Sequence, residues 1–332
     1  MTERGVDFER LRCMRCGSCD HEWRVTSEWL DRFDQGDEGC PVCGTDCQVE
    51  KRPNFWAAPD DPSLDDSMVR KIYWYHTSTH ANWPDRTFDP SAGLTEITKR
   101  RMRNIGPDDR AFERWAERQK TKALHVGTYE AAVENMLRRM TRQDGAEDQF
   151  FLYRVRLKSN VVIESSVHAE PTNFVGDVQL AEVVALGVDA YRYVNTHEDP
   201  SSVSLAISLH AIQAVQSIPI PLAVDPADSW VRASADRLTS AASLPAPQPV
   251  TTLERMRRHM PTALFKEARR METEIAATLP VGLRGRFRTG FDEAKIIADP
   301  KLFPAKLIGL AQLVVNPQAV FDLLDAQHWR EV

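Results

Sequence analysis

Apolar and polar residues alternate along several short segments in the middle of the chain, a pattern that predicts β-strands. Together with one short apolar run, these segments cover residues 71–76, 151–157, 161–163, 191–194 and 203–209. Apolar residues at helical spacing predict helices over 108–122 and after Thr128, which suits an N-cap. Because strands and helices do not alternate regularly, we predict a largely antiparallel α+β domain.

Beyond residue 225 the apolar spacing becomes helical. Helices are predicted over 228–242, 251–278 and 306–329, with a stiff proline-containing spacer at 244–249. Eight arginines make this region locally basic: Arg255, Arg257, Arg258, Arg269, Arg270, Arg284, Arg286 and Arg288. They indicate either a solvated helix face or a contact surface for nucleic acid or an acidic partner.

The cysteines predict a metal-bound module at the start of the chain. All six lie between Cys13 and Cys47, and two CxxC pairs stand about 20 residues apart, the spacing of a zinc ribbon. The predicted ligands of a structural Zn²⁺ are Cys16, Cys19, Cys40 and Cys43. Cys13 and Cys47 remain as free thiols or as part of another pairing, such as Cys13 with Cys16. Trp23 is expected in the small core of the module.

Length and charge set the organisation of the rest. The 332 residues predict one small module plus one or two ordinary domains, and a net charge of −6 argues against a protein that coats nucleic acid. No apolar run reaches the length of a membrane span and no signal peptide is recognisable, so a cytoplasmic protein without a membrane partner is expected. The predicted units are a zinc ribbon at 1–50, a polar, proline-rich linker at 51–67, the α+β domain at 68–224 and a helical region at 225–332.

Three separated strings in the predicted α+β domain carry the candidate chemistry. The first, residues 75–79, ends a strand with Tyr-His-Thr-Ser-Thr, and the second, residues 124–132, leads through Gly127 into a helix. The third, residues 193–204, is a turn-rich polar loop with adjacent acids that leads into a strand. Each string also has an ordinary structural explanation, such as a buried histidine, a strand-to-helix turn or a solvated acidic turn.

In their order and spacing, these strings resemble the ADP-ribosyltransferase superfamily, and most closely its diphtheria-toxin and poly-ADP-ribose-polymerase-like branch with its phage and bacterial members. The resemblance covers residues 69–220. It implies a split antiparallel β-fold that grips NAD, as a substrate, in a cleft between two half-sheets.

The resemblance also implies roles for individual residues. His76 would hydrogen-bond the nicotinamide-side ribose hydroxyl, and the backbone of Thr77 would hold the carboxamide. His125 would lie beside the nicotinamide, and Tyr129 would stack on its ring if the Gly-Thr turn folds as in relatives. Glu198 would supply the catalytic carboxylate.

Two departures from the family pattern concern the nicotinamide pocket and the acid. Thr77 stands where the family has glycine, which crowds the nicotinamide pocket. The turn at Gly127, in the second block, is a further part that would border NAD. The strand at 203–207 has no acid where many members carry glutamate. Glu198, followed by Asp199, is therefore the candidate acid. Family members without the strand glutamate exist, and some of them transfer a single ADP-ribose or are inactive.

The expected function is NAD-dependent ADP-ribosyl transfer to a protein or nucleic-acid acceptor that the sequence does not specify, with the C-terminal helices as a targeting or partner surface. One alternative is a catalytically inactive zinc-ribbon adaptor that binds nucleic acid or protein through the basic helices and residues 99–103. Another is a transferase that consumes NAD while removing an RNA 2′-phosphate, for which Arg154 and Arg156 would have to surround the ribose site.

Overall fold

The N-terminal module is a small antiparallel sheet with one helix. The computed structural model describes residues 1–89, 91–92, 94–105, 108, 110–142, 149–170, 178–183, 185, 187–245, 261–290 and 292–332. The module's strands are β1 (Arg12–Cys16), β2 (Glu22–Val25) and β3 (Pro53–Phe55), in the order β2-β1-β3. Strand β3 lies in the segment predicted to be a linker, which is therefore partly built into the module.

Helix α1 (Ser27–Gln35) covers one face of this sheet. It begins after Thr26, whose hydroxyl accepts a hydrogen bond from the Trp29 backbone, and it ends at Gly36, which has a φ of +86°. Its Phe33 packs with Met14 and Val25. Trp23 packs against these three side chains, as predicted.

Two further sheets form the middle of the molecule. The first contains β4 (Trp74–Ser78), β6 (Phe150–Leu157), β10 (Ile212–Ile220) and β11 (Arg330–Glu331), in the order β11-β10-β6-β4. The second contains β5 (Leu124–Val126), β7 (Ile163–Ala169), β8 (Ala190–Val194) and β9 (Val203–Ile207), in the order β5-β9-β8-β7. All pairs are antiparallel except β7 with β8, so the predicted α+β class is confirmed with one parallel exception.

The two sheets meet where β4 passes the end of β5. The Tyr75 amide donates to the Gly127 carbonyl at 2.9 Å, and the Gly127 amide donates back to Tyr75 at 3.0 Å. This reciprocal pair brings the end of β4 next to the turn that follows β5.

Helices surround the sheets. They are α2 (Asp66–Val69), α3 (Glu96–Ile105), α4 (Ala111–Thr121), α5 (Tyr129–Arg142), α6 (Leu180–Val183), α7 (Ser229–Ala242), α8 (Ala263–Ala276), α9 (Val281–Arg284), α10 (Glu293–Ala298), α11 (Leu302–Val315) and α12 (Pro317–Asp325). Short 3₁₀ turns lie at Pro62–Leu64 and Leu209–Ala211. The predicted N-cap of α5 is confirmed, because the Thr128 hydroxyl accepts a hydrogen bond of 3.0 Å from the Ala131 amide.

The C-terminal helices share one core with the middle of the molecule. Met136 of α5, Leu152 of β6, Met271 of α8 and Leu310 of α11 belong to the same buried cluster. Strand β11 near the C-terminus extends the first sheet by pairing with β10. The region after residue 225 is therefore helical, as predicted, but it packs as part of the central body.

Several predicted boundaries shift. The strand predicted over 203–209 ends at Ile207, and the strand β10 that follows was not predicted. The helix predicted over 306–329 is two helices, α11 and α12, and residues 246–260, which include most of the spacer and the start of a predicted helix, lie outside the described residues. In the described part of the chain, no individual helix combines the length and apolar character needed to cross a membrane. Helices α11 and α12, bent by 94°, satisfy those criteria only as a pair, and by length and composition alone.

Most of the described C-terminal arginines are ion-paired within the fold. Arg269 pairs with Glu272, Arg270 pairs with Glu267, and Arg288 lies 3.5 Å from Glu272. These three arginines are therefore neutralised by acids of the same chain. Arg255, Arg257 and Arg258 lie outside the described residues.

Candidate functional site

The predicted cysteine cluster forms at the end of the N-terminal module. The sulfur atoms of Cys16, Cys19, Cys40 and Cys43 all lie within 4.8 Å of one another, with Cys16 to Cys43 at 3.5 Å and Cys19 to Cys40 at 3.6 Å. Tetrahedral zinc with Zn–S bonds of about 2.3 Å separates its sulfur ligands by about 3.8 Å. The cluster can therefore hold a metal ion, and its geometry is compatible with zinc.

The two remaining cysteines lie outside this cluster. Cys13 stands in β1, where both its backbone N–H and its carbonyl bond to the Ser201 hydroxyl. Cys47 packs against the small core of the module. Neither belongs to the four-cysteine set, and the structure does not form the alternative Cys13–Cys16 pairing.

The three strings with candidate chemistry converge on one cleft at the junction of the two central sheets. His76 and Thr77 of the first string, His125 and Gly127 of the second, and Glu198 of the third all line it. The cavity volume is about 80 Å³. This is below the roughly 300 Å³ at which small-molecule sites usually begin, so a dinucleotide requires movement of the lining side chains.

The His76 ring is fixed on one side and free on the other. Its Nδ1 lies 2.8 Å from the His125 carbonyl oxygen, and its ring stacks on Trp83 with 4.0 Å between centroids. Burial, assisted by the positive charge of Arg139, lowers the pKa of His76 to about 3. The ring is therefore neutral, and because a carbonyl only accepts, the proton is assigned to Nδ1 and Nε2 is a hydrogen-bond acceptor.

His125 is assigned the opposite tautomer. Its Nδ1 lies 3.0 Å from the Tyr193 hydroxyl, and burial, with a smaller effect from Lys122, lowers the pKa of His125 to about 4. A buried phenol requires an acceptor, so the Tyr193 hydroxyl is assigned as donor to Nδ1, which leaves the proton on Nε2. That Nε2 is buried and has no hydrogen-bond partner, an arrangement that costs about 1–3 kcal/mol until an acceptor arrives. The cleft is thus lined by one imidazole assigned as an acceptor and by a second imidazole whose buried Nε2–H has no partner among the described residues.

Glu198 is the acid on the cleft wall. Its Oε1 accepts hydrogen bonds from Asn135 Nδ2 at 3.2 Å and pairs with Arg138 Nη2 at 2.6 Å. Its backbone N–H donates to Asn195 Oδ1 at 2.9 Å, and Asn195 Nδ2 in turn donates to Ser204 Oγ at 3.1 Å. Glu198 thus stands on the loop that precedes strand β9, and its carboxylate is held by Asn135 and Arg138 of helix α5.

Asn135, Asn195, Tyr193 and Ser204 also line the cleft and were not among the predicted site residues. Tyr193, Asn195 and Ser204 all lie in the string at 193–204 already noted in the sequence, so that string contained the signal. Asn135 lies in the second turn of α5, and nothing in its sequence surroundings distinguishes it from a solvated helical residue.

Asp199, the neighbour of Glu198, does not line the cleft. Its Oδ2 accepts a hydrogen bond of 2.7 Å from the Thr128 hydroxyl, and its Oδ1 accepts one of 2.8 Å from Arg10 Nε. Of the two adjacent acids, Glu198 alone faces the cleft, and Asp199 connects the loop to its surroundings.

The turn at Gly127 has no room for a side chain. A Cβ atom there would lie 2.9 Å from Ser204 Oγ and 3.0 Å from Ala131 Cβ. The Gly127 N–H already bonds to Tyr75, and the Thr128 hydroxyl already bonds to Asp199, so these two donors are not free for a phosphate. The turn acts here as a close-packed wall of the cleft.

Tyr129 lies in the hydrophobic core and not in the cleft. Its ring contacts Phe8, Tyr75 and Phe321, and its hydroxyl donates a hydrogen bond of 2.7 Å to the Leu313 carbonyl. The first turn of α5 directs this side chain toward α11 and α12. The expected stacking of Tyr129 on a nicotinamide does not fit this placement.

The backbone of Thr77 is engaged within the protein. Its carbonyl accepts a hydrogen bond of 3.1 Å from Arg139 Nη1, and its hydroxyl donates to the Ala132 carbonyl at 3.0 Å. A carboxamide that bonded to the Thr77 carbonyl would share this acceptor with Arg139.

Arg154 and Arg156, considered for an RNA phosphate, lie away from the cleft. Arg154 is buried in a network with Glu3 and Asp325, and the Arg156 guanidinium lies 4.1 Å from the centre of the Trp329 ring. Their positions give the RNA 2′-phosphate alternative no support.

The chain matches no protein-family model, and comparison with curated proteins and with solved structures yields no match. The interpretation of the cleft therefore depends on its residues and their geometry.

Proposed function

We propose that the protein catalyses NAD-dependent ADP-ribosyl transfer to a macromolecular acceptor, with release of nicotinamide. One observation carries the proposal: three strings separated by up to about 120 residues in the sequence bring His76, His125, Gly127 and Glu198 to a single cleft. The cleft lies between two mainly antiparallel half-sheets, where the family resemblance of the sequence would put the NAD site.

The polar groups of the cleft suit this reaction. Cleavage of the nicotinamide–ribose bond leaves positive charge on the sugar, which the Glu198 carboxylate can stabilise. The nicotinamide departs with the bonding electrons, the acceptor nucleophile bonds to the anomeric carbon, and its proton passes to Glu198 or to solvent. His76 Nε2 can accept from a ribose hydroxyl, and His125 Nε2–H can donate to an oxygen of the nicotinamide side.

The same geometry shows what NAD binding must change. Glu198 has to exchange its contact with Arg138 for one with the substrate, and the small cavity has to widen. These two features also favour the second candidate function, a catalytically inactive scaffold that binds a protein or nucleic acid.

In either case we propose that a structural zinc ion occupies the four-cysteine cluster. The module is too short to fold on its own apolar core, and metal binding supplies folding free energy on the order of 10 kcal/mol. The proposal includes a cytoplasmic location, because a reducing compartment keeps cysteines as free thiols that can bind a metal.

The test combines NAD calorimetry with detection of nicotinamide release. Wild-type protein is compared with His76→Ala, Glu198→Gln and a control, His210→Ala, which alters an exposed histidine. We expect Glu198→Gln to lower nicotinamide release about 100-fold or more, while binding changes little, because the carboxylate acts mainly in the transition state. His76→Ala should weaken NAD binding, and His210→Ala should do neither. Wild-type protein that neither binds NAD nor releases nicotinamide would select the scaffold.

A further inference from the structure

The N-terminal module contacts the loop that carries Glu198. Strand β1 ends at the predicted metal ligand Cys16, and three residues earlier Cys13 faces the loop. The Cys13 N–H donates to Ser201 Oγ at 2.9 Å, and the Ser201 hydroxyl donates back to the Cys13 carbonyl at 2.9 Å. The Ser201 side chain thus makes two hydrogen bonds with the backbone of the module.

Arg10 makes the second contact between the module and the loop. Its Nε donates to Asp199 Oδ1 at 2.8 Å, and its Nη2 donates to the carbonyls of Asp199 and Pro200 at 3.1 and 2.9 Å. The Asp199 side chain is 1% exposed, so this ion pair is shielded from water. Hydrogen bonds to charged groups in such surroundings are the strong ones.

Residues that follow β3 add two more bonds. The Ala58 N–H donates to the Ser201 carbonyl at 3.1 Å, and the Val203 N–H donates to Asp61 Oδ2 at 3.0 Å. The segment predicted as a linker therefore also holds the loop.

The loop backbone requires such support. Asp199 has a φ of +48° and Ser201 a φ of +71°, the left-handed region that costs non-glycine residues of order 1–3 kcal/mol each. Such conformations persist where the surrounding contacts over-determine them. The contacts from Arg10, Cys13, Ala58 and Asp61 all come from the N-terminal 61 residues.

We propose that the metal-bound N-terminal module is a clamp for the loop at residues 195–203, and that Arg10 and Ser201 are positioning residues which hold Glu198 at the cleft. The role in catalysis rests on the proposed ADP-ribosyl transfer, whereas the mechanical coupling between module and loop does not. Loss of the metal loosens β1, releases its contacts with Ser201, and allows the loop to leave its left-handed conformation.

Amide hydrogen exchange tests the clamp without any substrate. In the zinc-loaded full chain, Arg10→Gln should increase exchange in peptides over 195–203 by about tenfold or more, since it removes charge-assisted bonds. The matched control is Arg15→Gln, which changes an arginine of the same module that pairs with exposed Asp20 and not with the loop. Peptides over β6 report global stability. Unchanged loop exchange in Arg10→Gln, or an equal rise in Arg15→Gln, would overturn the clamp.

Ser201→Gly provides a second variant that is expected to fold. Glycine accepts a φ of +71° without strain but lacks the hydroxyl, so loop exchange should rise while the thermal midpoint changes little. Removal of the zinc by a chelator should have the same local effect on 195–203 before β6 exchanges. Loop protection that survives metal removal would contradict the coupling to the metal.

Activity then separates a positioning role from a purely structural one. Arg10→Gln should lower kcat more than it raises KM for NAD, and Arg10→Lys, which retains the charge, should restore part of kcat. A change in KM alone would contradict the positioning of Glu198. If the wild-type protein does not use NAD, the proposed function fails, and the exchange experiment still decides whether the clamp exists.

Discussion

The Nδ1 atom of His76 lies 2.8 Å from the backbone carbonyl oxygen of His125, so one candidate site residue orients the ring of the other. Tyr193 does the same for the His125 ring from the opposite side. Each imidazole consequently has one nitrogen that is hydrogen-bonded within the described part of the protein and one that is not. The two nitrogens without such a partner differ in hydrogen-bonding role, since His76 Nε2 is an acceptor and His125 Nε2–H is a donor.

This assignment predicts the nitrogen NMR spectrum of the two rings. Between pH 8 and pH 5 neither ring should titrate, because burial lowers the pKa of His76 to about 3 and that of His125 to about 4. The protonated nitrogen should be Nδ1 in His76 and Nε2 in His125. In Tyr193→Phe the His125 ring should lose its single tautomer while His76 keeps its own. A titration midpoint near the ordinary value of about 6.5 in either ring would contradict the assignment.

Metal content should depend on four of the six cysteines. Cys40→Ser is expected to abolish stoichiometric zinc binding and to unfold the N-terminal module, because three thiolates and a hydroxyl make a much weaker site. Cys47→Ser, outside the cluster, should retain one zinc per chain. Elemental analysis combined with circular dichroism measures both. Equal zinc loss in the two variants would show that the cluster is not the site.

The elements that could be predicted from the sequence are those that local interactions determine. The cap at Thr128 and the strands β6, β8 and β9 are encoded by their own alternation and by neighbours one to four residues away. Strand β3 was missed because its three residues form a strand only by pairing with β1, some 40 residues earlier. Strand β10 was missed because its apolar and polar residues do not alternate: the register shifts between Ile212 and Ala214, and the polar Gln216 is buried.

The candidate site follows the same division. The strings with His76, His125 and Glu198 could be found in the sequence, whereas the surroundings of Tyr129 could not. Its hydroxyl bonds to Leu313, which lies 184 residues further along, and only the packing of α11 decides which way the ring points. The ion pair of Arg10 with Asp199 joins residues 189 apart in the chain, and it could not be predicted from the sequence either.

Tyr129→Phe should therefore reduce stability and leave ligand binding alone. The Leu313 carbonyl is in the last turn of α11, where helical carbonyls lack an intrahelical partner, and the tyrosine hydroxyl supplies one. Loss of this bond should cost about 1 kcal/mol in the free energy of unfolding, measured with urea. NAD affinity by calorimetry should stay within about twofold, because the ring does not line the cleft. A selective loss of NAD binding at unchanged stability would show that Tyr129 belongs to the NAD site.

Gly127→Ala tests the packing of the cleft wall. The added methyl group would lie 2.9 Å from Ser204 Oγ and 3.0 Å from Ala131 Cβ, so one of them must shift. We expect a loss of about 1–3 kcal/mol in unfolding free energy and weaker NAD binding. Gly285→Ala is the matched control, since a Cβ there meets nothing within 4 Å and the backbone is helical. Equal effects of the two substitutions would show that the wall at Gly127 is not tight.

The buried carboxyl of Glu134 predicts a specific dependence of stability on pH. Burial, with a contribution from the Asp199 charge, raises the pKa of Glu134 to about 7, although Arg286 beside it acts in the opposite direction. In the unfolded chain a glutamate titrates near 4.3, so between about pH 4.3 and pH 7 the folded state binds the additional proton. Because the state with more bound protons is favoured at low pH, this group contributes stability in acid that is lost as the pH rises toward 7.

Glu134→Gln removes that titration and keeps an oxygen that can accept from the Asp199 N–H. The variant should therefore gain stability relative to wild type as the pH rises from 5 to 8, by roughly 1–3 kcal/mol, with a limiting slope of about 1.4 kcal/mol per pH unit. Urea unfolding at each pH measures the difference. Glu96→Gln, whose parent side chain is 82% exposed, serves as the control and should follow the wild-type curve. Parallel curves for Glu134→Gln and wild type would mean that Glu134 is ionised in the folded protein, with Arg286 as the dominant influence on its pKa.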